Sequence, residues 1–187
     1  SRSSVGNAAA RTQENFEFER GYVSFKTAVG AFDVGYQNAG TWGTAFADNG
    51  TTRARILYIT QVGPLTALGI LEKNFEADTS TAAGYAGKVN ADNNAYYLAG
   101  IYGFKDGNAG FLYAYADWAS FRIPAGPAAS RLKWHFLVPY VKATFGPVYV
   151  ESEVFWVFGK SAAFDNPPAG LQDLDKNGGA AYLMAKT

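Results

Sequence analysis

Apolar and polar residues alternate along residues 131–160, with one interruption at the pair Gly146-Pro147. Before the pair, one side carries Leu132, Trp134, Phe136, Val138 and Tyr140, and the other begins with Arg131, Lys133 and His135. After it, one face carries Val148, Val150, Val154, Trp156 and Phe158, and the opposite face carries Glu151 and Glu153. Because successive side chains of a strand point to opposite faces, the pattern predicts two long strands joined by a tight turn.

The same alternation, broken by turn residues, predicts further strands along the chain. They cover about residues 15–29, 31–38, 52–62, 65–76, 95–104 and 109–122, and a ninth strand begins near residue 180. Tight turns near residues 30, 63, 106 and 146 alternate with longer loops near 44, 85, 126 and 170. We therefore predict one all-β domain over residues 1–187, an antiparallel up-and-down meander with short turns at one end and long loops at the other.

The length and the two faces of the hairpin indicate a membrane environment. Each arm has about a dozen residues, against about 5–6 in the strands of soluble proteins. An apolar face with aromatic residues at its end, opposite a charged face, is what a transmembrane β-barrel requires. No run of the chain approaches the ~18 apolar residues of a membrane helix. Charged residues amount to 17%, below the roughly 25% of soluble domains. The alternative is a soluble up-and-down barrel or sandwich.

The strand count bears on closure of the barrel. Nine strands are an odd number, whereas single-chain bacterial barrels have even numbers. The residues Met184-Ala185-Lys186-Thr187 also stop within the ninth strand and include no terminal aromatic residue. We therefore expect the nine strands to be part of a larger barrel.

Residues 16–46, FEFERGYVSFKTAVGAFDVGYQNAGTWGTAF, and the turns VGPL at 62–65 and FGPV at 145–148 resemble bacterial outer-membrane porins. The resemblance implies a β-barrel in the bacterial outer membrane, in contact with the lipid bilayer, which lets small hydrophilic solutes or ions diffuse passively. Two alternatives remain open. One is a barrel that sheathes a partner protein, such as an electron-transfer cytochrome, and the other is a soluble ligand-binding β-barrel. A homo-oligomer is a further option for a porin.

Charged residues at alternating positions are the candidates for a pore lining. The basic ones are Arg53, Arg55, Arg131 and Lys133, and the acidic ones are Asp33, Asp117, Glu151 and Glu153. Rows of opposite charge across a pore would tune ion selectivity, although the same residues could be structural ion pairs. A strict two-residue loop at 146–147 would separate Arg131 and Lys133 from Glu151 and Glu153. A common face therefore requires a longer loop or a bulge, for which Pro139 is the candidate.

The aromatic residues Trp134, Trp156 and Phe158 are predicted to lie on the outer surface at the membrane interface, a depth that amphipathic rings favour. Catalysis has little support, because the chain has one His and no Cys and no Ser-His-Asp pattern. We predict no enzyme, no cofactor and no nucleic-acid partner. Residues 172–178 have the spacing of a calcium loop but lack the later acidic ligand, so a polar turn is predicted there and no metal.

Overall fold

The computed structural model describes residues 19–46, 48–76, 91–122, 129–167 and 169–187. These residues contain nine β-strands and one short 3-10 helix, Ser120–Arg122. The strands are β1 (Gly21–Thr27), β2 (Gly30–Ala39), β3 (Thr51–Val62), β4 (Leu65–Phe75), β5 (Asn93–Phe104), β6 (Gly107–Trp118), β7 (Ser130–Phe145), β8 (Val148–Phe164) and β9 (Leu174–Lys186).

Every strand pairs antiparallel with the next, so that the sheet runs in chain order from β1 to β9. The two edge strands, β1 and β9, are not paired with each other in the described residues, and the sheet is open. The all-β, up-and-down fold with nine strands is therefore confirmed.

Four two-residue turns lie at the same end of the sheet, at residues 28–29, 63–64, 105–106 and 146–147. Gly63 and Gly146 open two of them with φ of +56° and +59°, values that only glycine adopts readily. In each of these two turns the flanking residues pair directly, as Phe145 does with Val148. The Gly-Pro pairs thus set the register of the β3–β4 and β7–β8 hairpins.

Two predicted elements differ from the structure. β9 begins at Leu174, so Asp175 and its successors form strand rather than the predicted polar turn at 172–178. The cause is pairing with β8, where Asp175 lies opposite Lys160 and binds its ammonium group at 2.6 Å. The predicted sixth strand ends at Trp118, and the 3-10 helix follows. Residues 15–18 of the first predicted strand lie outside the described residues, as do the loops predicted near 85 and 126.

The sheet has two chemically different faces. The inner face is the one that carries Tyr140, Glu153 and Tyr182, because residues 40–46 lie against these side chains. The other is the outer face. In β3–β8 the exposed large apolar side chains lie on the outer face, except for Phe75 beside a register shift. They include Ile56, Val62, Leu65, Leu71, Tyr96, Leu98, Tyr102, Phe111, Val141, Val154 and Trp156. The buried apolar side chains of the inner face include Ala95, Ala114, Ala116, Leu132 and Val138.

Candidate functional site

The connection between β2 and β3 crosses the inner face, and we call its residues 40–46 the strap. The strap reaches the far strands of the sheet. Trp42 donates from Nε1 to the carbonyl oxygen of Val138 in β7 at 2.9 Å, and Phe46 stacks on Tyr182 of β9 with ring centroids 5.4 Å apart. Lys142 donates from Nζ to the Gly43 carbonyl at 2.6 Å. A single connection therefore joins the two ends of the sheet across its inner face.

Glu153 of β8 anchors the middle of the strap. The backbone N–H and the hydroxyl of Thr44 both donate to its Oε2, each at 2.7 Å. Glu153 is 1% exposed, and its Oε1 has no hydrogen-bond partner in the described part of the chain. Hydrogen bonds to a charged acceptor are stronger than neutral ones, so this carboxylate holds the strap against β8.

Gly43 allows the strap to approach this closely. Its φ is +60°, and a Cβ there would lie 2.8 Å from Glu153 Oε2 and 2.8 Å from the ring of Tyr140. Trp42 packs edge-on against the same Tyr140 ring, with centroids 5.3 Å apart. Three successive residues, Trp-Gly-Thr, thus supply an aromatic ring, a position without a side chain and a pair of hydrogen-bond donors.

A cavity of about 280 Å³ lies between the strap and the inner face of β3–β8. Its wall is mostly apolar and includes Ile70, Ala95, Leu112, Ala114, Ala116, Phe136, Val138 and Phe155. Its polar end is formed by Arg55, Glu72 and Tyr97. Arg55 and Glu72 are directly opposite each other on β3 and β4, and Tyr97 donates to Glu72 Oε1 at 3.1 Å.

Five of the eight predicted lining residues lie on the inner face. They are Asp33, Arg53, Arg55, Glu151 and Glu153. The two arginines have polar partners on neighbouring strands: Arg53 Nε donates to Asn74 at 2.6 Å, and Arg55 Nε donates to Gln37 at 3.3 Å. Glu151 accepts hydrogen bonds from two tyrosine hydroxyls, those of Tyr149 and Tyr182. These charged groups are held in place by their neighbours rather than left free.

The prediction that Arg131 and Lys133 share a face with Glu151 and Glu153 is wrong. The turn at 146–147 is a strict two-residue loop, so the odd residues of β7 lie opposite the even residues of β8. The register shift of this pair comes only between Arg131 and Lys133, beyond both glutamates. Pro139 causes no shift. Arg131, Lys133 and Asp117 therefore lie on the outer face, where Arg131 binds Asp117 at 3.2 Å.

The same register separates the three predicted interface aromatics. Trp156 and Phe158 lie on the outer face, and Trp156 is 47% exposed with its Nε1 donating to Asn177 at 2.8 Å. Trp134 belongs to the inner face, so its predicted outer position is wrong. Its Nε1 is buried, without a hydrogen-bond partner in the described residues.

Four aromatic rings that were not predicted from the sequence form a row across the outer face, and we call them the aromatic row. Tyr96, Tyr115, His135 and Phe158 are in register on β5 to β8, with successive ring centroids 6.2, 4.9 and 5.1 Å apart. The next outer-face row toward the long loops is polar and charged: Asn94, Asp117, Lys133, Lys160 and Asp175. The alternating Tyr residues were visible in the sequence. Their alignment with His135 depends on the register between neighbouring strands from β5 to β8, and the sequence did not reveal that register.

The chain matches no protein-family model, no curated protein and no solved structure. Within the described residues, no helix has the length and apolar character needed to cross a membrane. The same residues contain no group of three or more His, Asp or Glu side chains placed to hold a metal ion.

Proposed function

We propose that this sheet is part of the wall of an outer-membrane diffusion pore, with the outer face against lipid and the inner face toward a passage for small hydrophilic solutes or ions. The observation that carries the proposal is the outer face itself. From the aromatic row to the turn end it exposes apolar side chains, among them Leu98, Phe111 and Val154. A water-soluble protein rarely exposes a large continuous apolar surface.

The order of rows on the outer face supports the same conclusion. Aromatic rings favour the boundary between hydrocarbon and water, and charges are tolerated only beyond it. The outer face follows this order, because the charged row that contains Lys133 and Lys160 adjoins the aromatic row that contains His135 and Phe158. A strand needs about 9–11 residues to cross a bilayer, and β3 to β8 have at least 11 each.

The inner face supplies polar groups to a passage. Asp33, Arg53 and Arg55 lie together on the inner face of β2 and β3. Fixed charges that line a pore determine which ions concentrate in it. The strap narrows this passage, because it spans the inner face from β2 to β9.

Ion selectivity in planar bilayers tests the pore. The variant Arg53→Glu/Arg55→Glu should shift the reversal potential toward cations, and the shift should shrink in 1 M salt, where the Debye length is about 3 Å instead of about 10 Å at 0.1 M. The matched control is Arg131→Glu/Lys133→Glu, which makes the same charge change on the outer face and should leave the potential nearly unchanged. Absence of conductance from the folded protein, or equal shifts in both variants, would contradict the proposal.

A further inference from the structure

We propose that the cavity beneath the strap binds a small neutral molecule with one apolar ring and one hydroxyl group. The inference goes further than the proposed pore function because it names a class of solute. That this solute is transported rests on the pore function. Binding itself requires only the folded sheet and strap.

The cavity is large enough for a single ring with a substituent. Its volume is about 280 Å³, whereas an engineered apolar cavity of about 150 Å³ is enough to bind benzene. Three alanines on neighbouring strands create the space. Ala95 and Ala116 are paired between β5 and β6, and Ala114 lies two residues before Ala116 on the same face. Larger side chains at these buried positions would fill the cavity.

The wall of the cavity is suited to an aromatic or alicyclic body. Phe136 and Phe155 lie on it with ring centroids 5.4 Å apart, and Leu112 and Val138 continue it on β6 and β7. Such a wall is unusual for a passage that conducts only hydrophilic solutes, because burying apolar surface on a ligand is favourable by about 25 cal/mol per Å². The wall therefore favours a ligand with an apolar part.

The polar end selects the substituent. It places a cation, Arg55, directly opposite an anion, Glu72, which is only 8% exposed. Within the described residues, the Arg55 guanidinium makes a single hydrogen bond, from Nε to Gln37. A hydroxyl group both donates and accepts, so it can donate to Glu72 and accept from Arg55 at once. A carboxylate that paired with Arg55 would also face the negative Glu72, and an ammonium group that paired with Glu72 would also face Arg55, so a neutral hydroxyl group suits a site that holds both charges.

Trp118 also lines the cavity, and its indole ring extends the mostly apolar wall.

Calorimetric titration of the refolded protein in detergent micelles tests the inference, with phenol, benzoate and toluene as the probes and protein-free micelles as the blank. We expect saturable one-to-one binding of phenol, at least tenfold tighter than binding of either other probe. Ala114→Leu should abolish it. The control Ala54→Leu makes the same change on the outer face and should bind phenol as the native chain does.

A second variant addresses the polar end without changing the volume. Glu72→Gln should reduce the preference for phenol over toluene at least threefold, and it keeps the variant set informative if Ala114→Leu does not fold. No saturable heat from phenol with the native chain, or an unchanged preference in folded Glu72→Gln, would overturn the inference. Conductance without phenol binding would overturn this inference alone. Phenol binding without conductance would overturn the pore function and leave the binding site.

Discussion

Thr44 and Glu153 are 109 positions apart in the chain, and two hydrogen bonds of 2.7 Å join the backbone N–H and the hydroxyl of the first to one carboxylate oxygen of the second. Their contact brings the β2–β3 connection against β8. It places the strap over the inner face, where the strap covers the cavity and narrows the passage that we propose. Loss of this contact should therefore loosen the middle of the strap.

Glu153→Ala should release the strap, because it removes the acceptor of both Thr44 donors. Hydrogen bonds to charged groups contribute about 1.5–3 kcal/mol each, so the amide of Thr44 should exchange with solvent at least tenfold faster. Hydrogen–deuterium exchange of a peptide covering residues 41–46 measures this. The control Asp33→Ala removes a different inner-face carboxylate, on β2, which accepts a hydrogen bond from Ser24 rather than from the strap. Equal exchange in the two variants would mean that the strap is held by other contacts.

Gly43→Ala should destabilise the protein more than Gly50→Ala. Both glycines have positive φ, +60° and +51°, so both alanines carry a backbone strain of about 1–2 kcal/mol. Only at Gly43 does the new Cβ meet Glu153 and Tyr140, whereas at Gly50 nothing lies within 4 Å. We expect an additional cost of about 1–3 kcal/mol at Gly43, measured as a free energy of unfolding in urea. Equal costs would show that the strap can move aside.

Leu98→Arg should prevent insertion into lipid vesicles, whereas Leu174→Arg should be tolerated. The two leucines are similarly exposed, at 66% and 55%, so a protein in water would accept arginine equally at both. Leu98 lies between the aromatic row and the turn end, where we place the bilayer, and the cost of an arginine there rises from about 0–1 kcal/mol near the interfaces to about 2–4 kcal/mol at the midplane. Leu174 lies beyond the charged row that contains Asp175, where the cost is about 0–1 kcal/mol. The folded fraction is read from heat-dependent electrophoretic mobility. Similar folded yields would place Leu98 in water.

The strands could be predicted from the sequence because alternation and Gly-Pro turns are local signals. The alternation of β7 and β8 separated two faces within each strand correctly. Which face of β7 is continuous with which face of β8 depends on the number of residues in the turn. One extra residue there moves every side chain of the following strand to the opposite face. Trp134 was assigned to the wrong face for this reason.

The strap could not be predicted, because its contacts connect residues about a hundred positions apart. Glu153 illustrates the consequence. As a candidate for the pore lining it was expected to be hydrated, yet its side chain is almost completely buried beneath Thr44. Comparing Val154→Arg with Glu153→Arg would therefore confuse lipid exposure with loss of the strap. The matched pair Leu98 and Leu174 avoids this problem.

Lipid contact of the outer face is the central claim, and spin labelling along β5 tests it most directly. Nitroxides placed one at a time at positions 96 to 101 of the protein in lipid vesicles would be relaxed by oxygen, which concentrates in the bilayer, or by a water-soluble nickel chelate. We predict a two-residue alternation, with oxygen favoured at 96, 98 and 100 and not at 97, 99 and 101. Access of the nickel chelate to positions 96, 98 and 100, without preference for oxygen, would contradict the account.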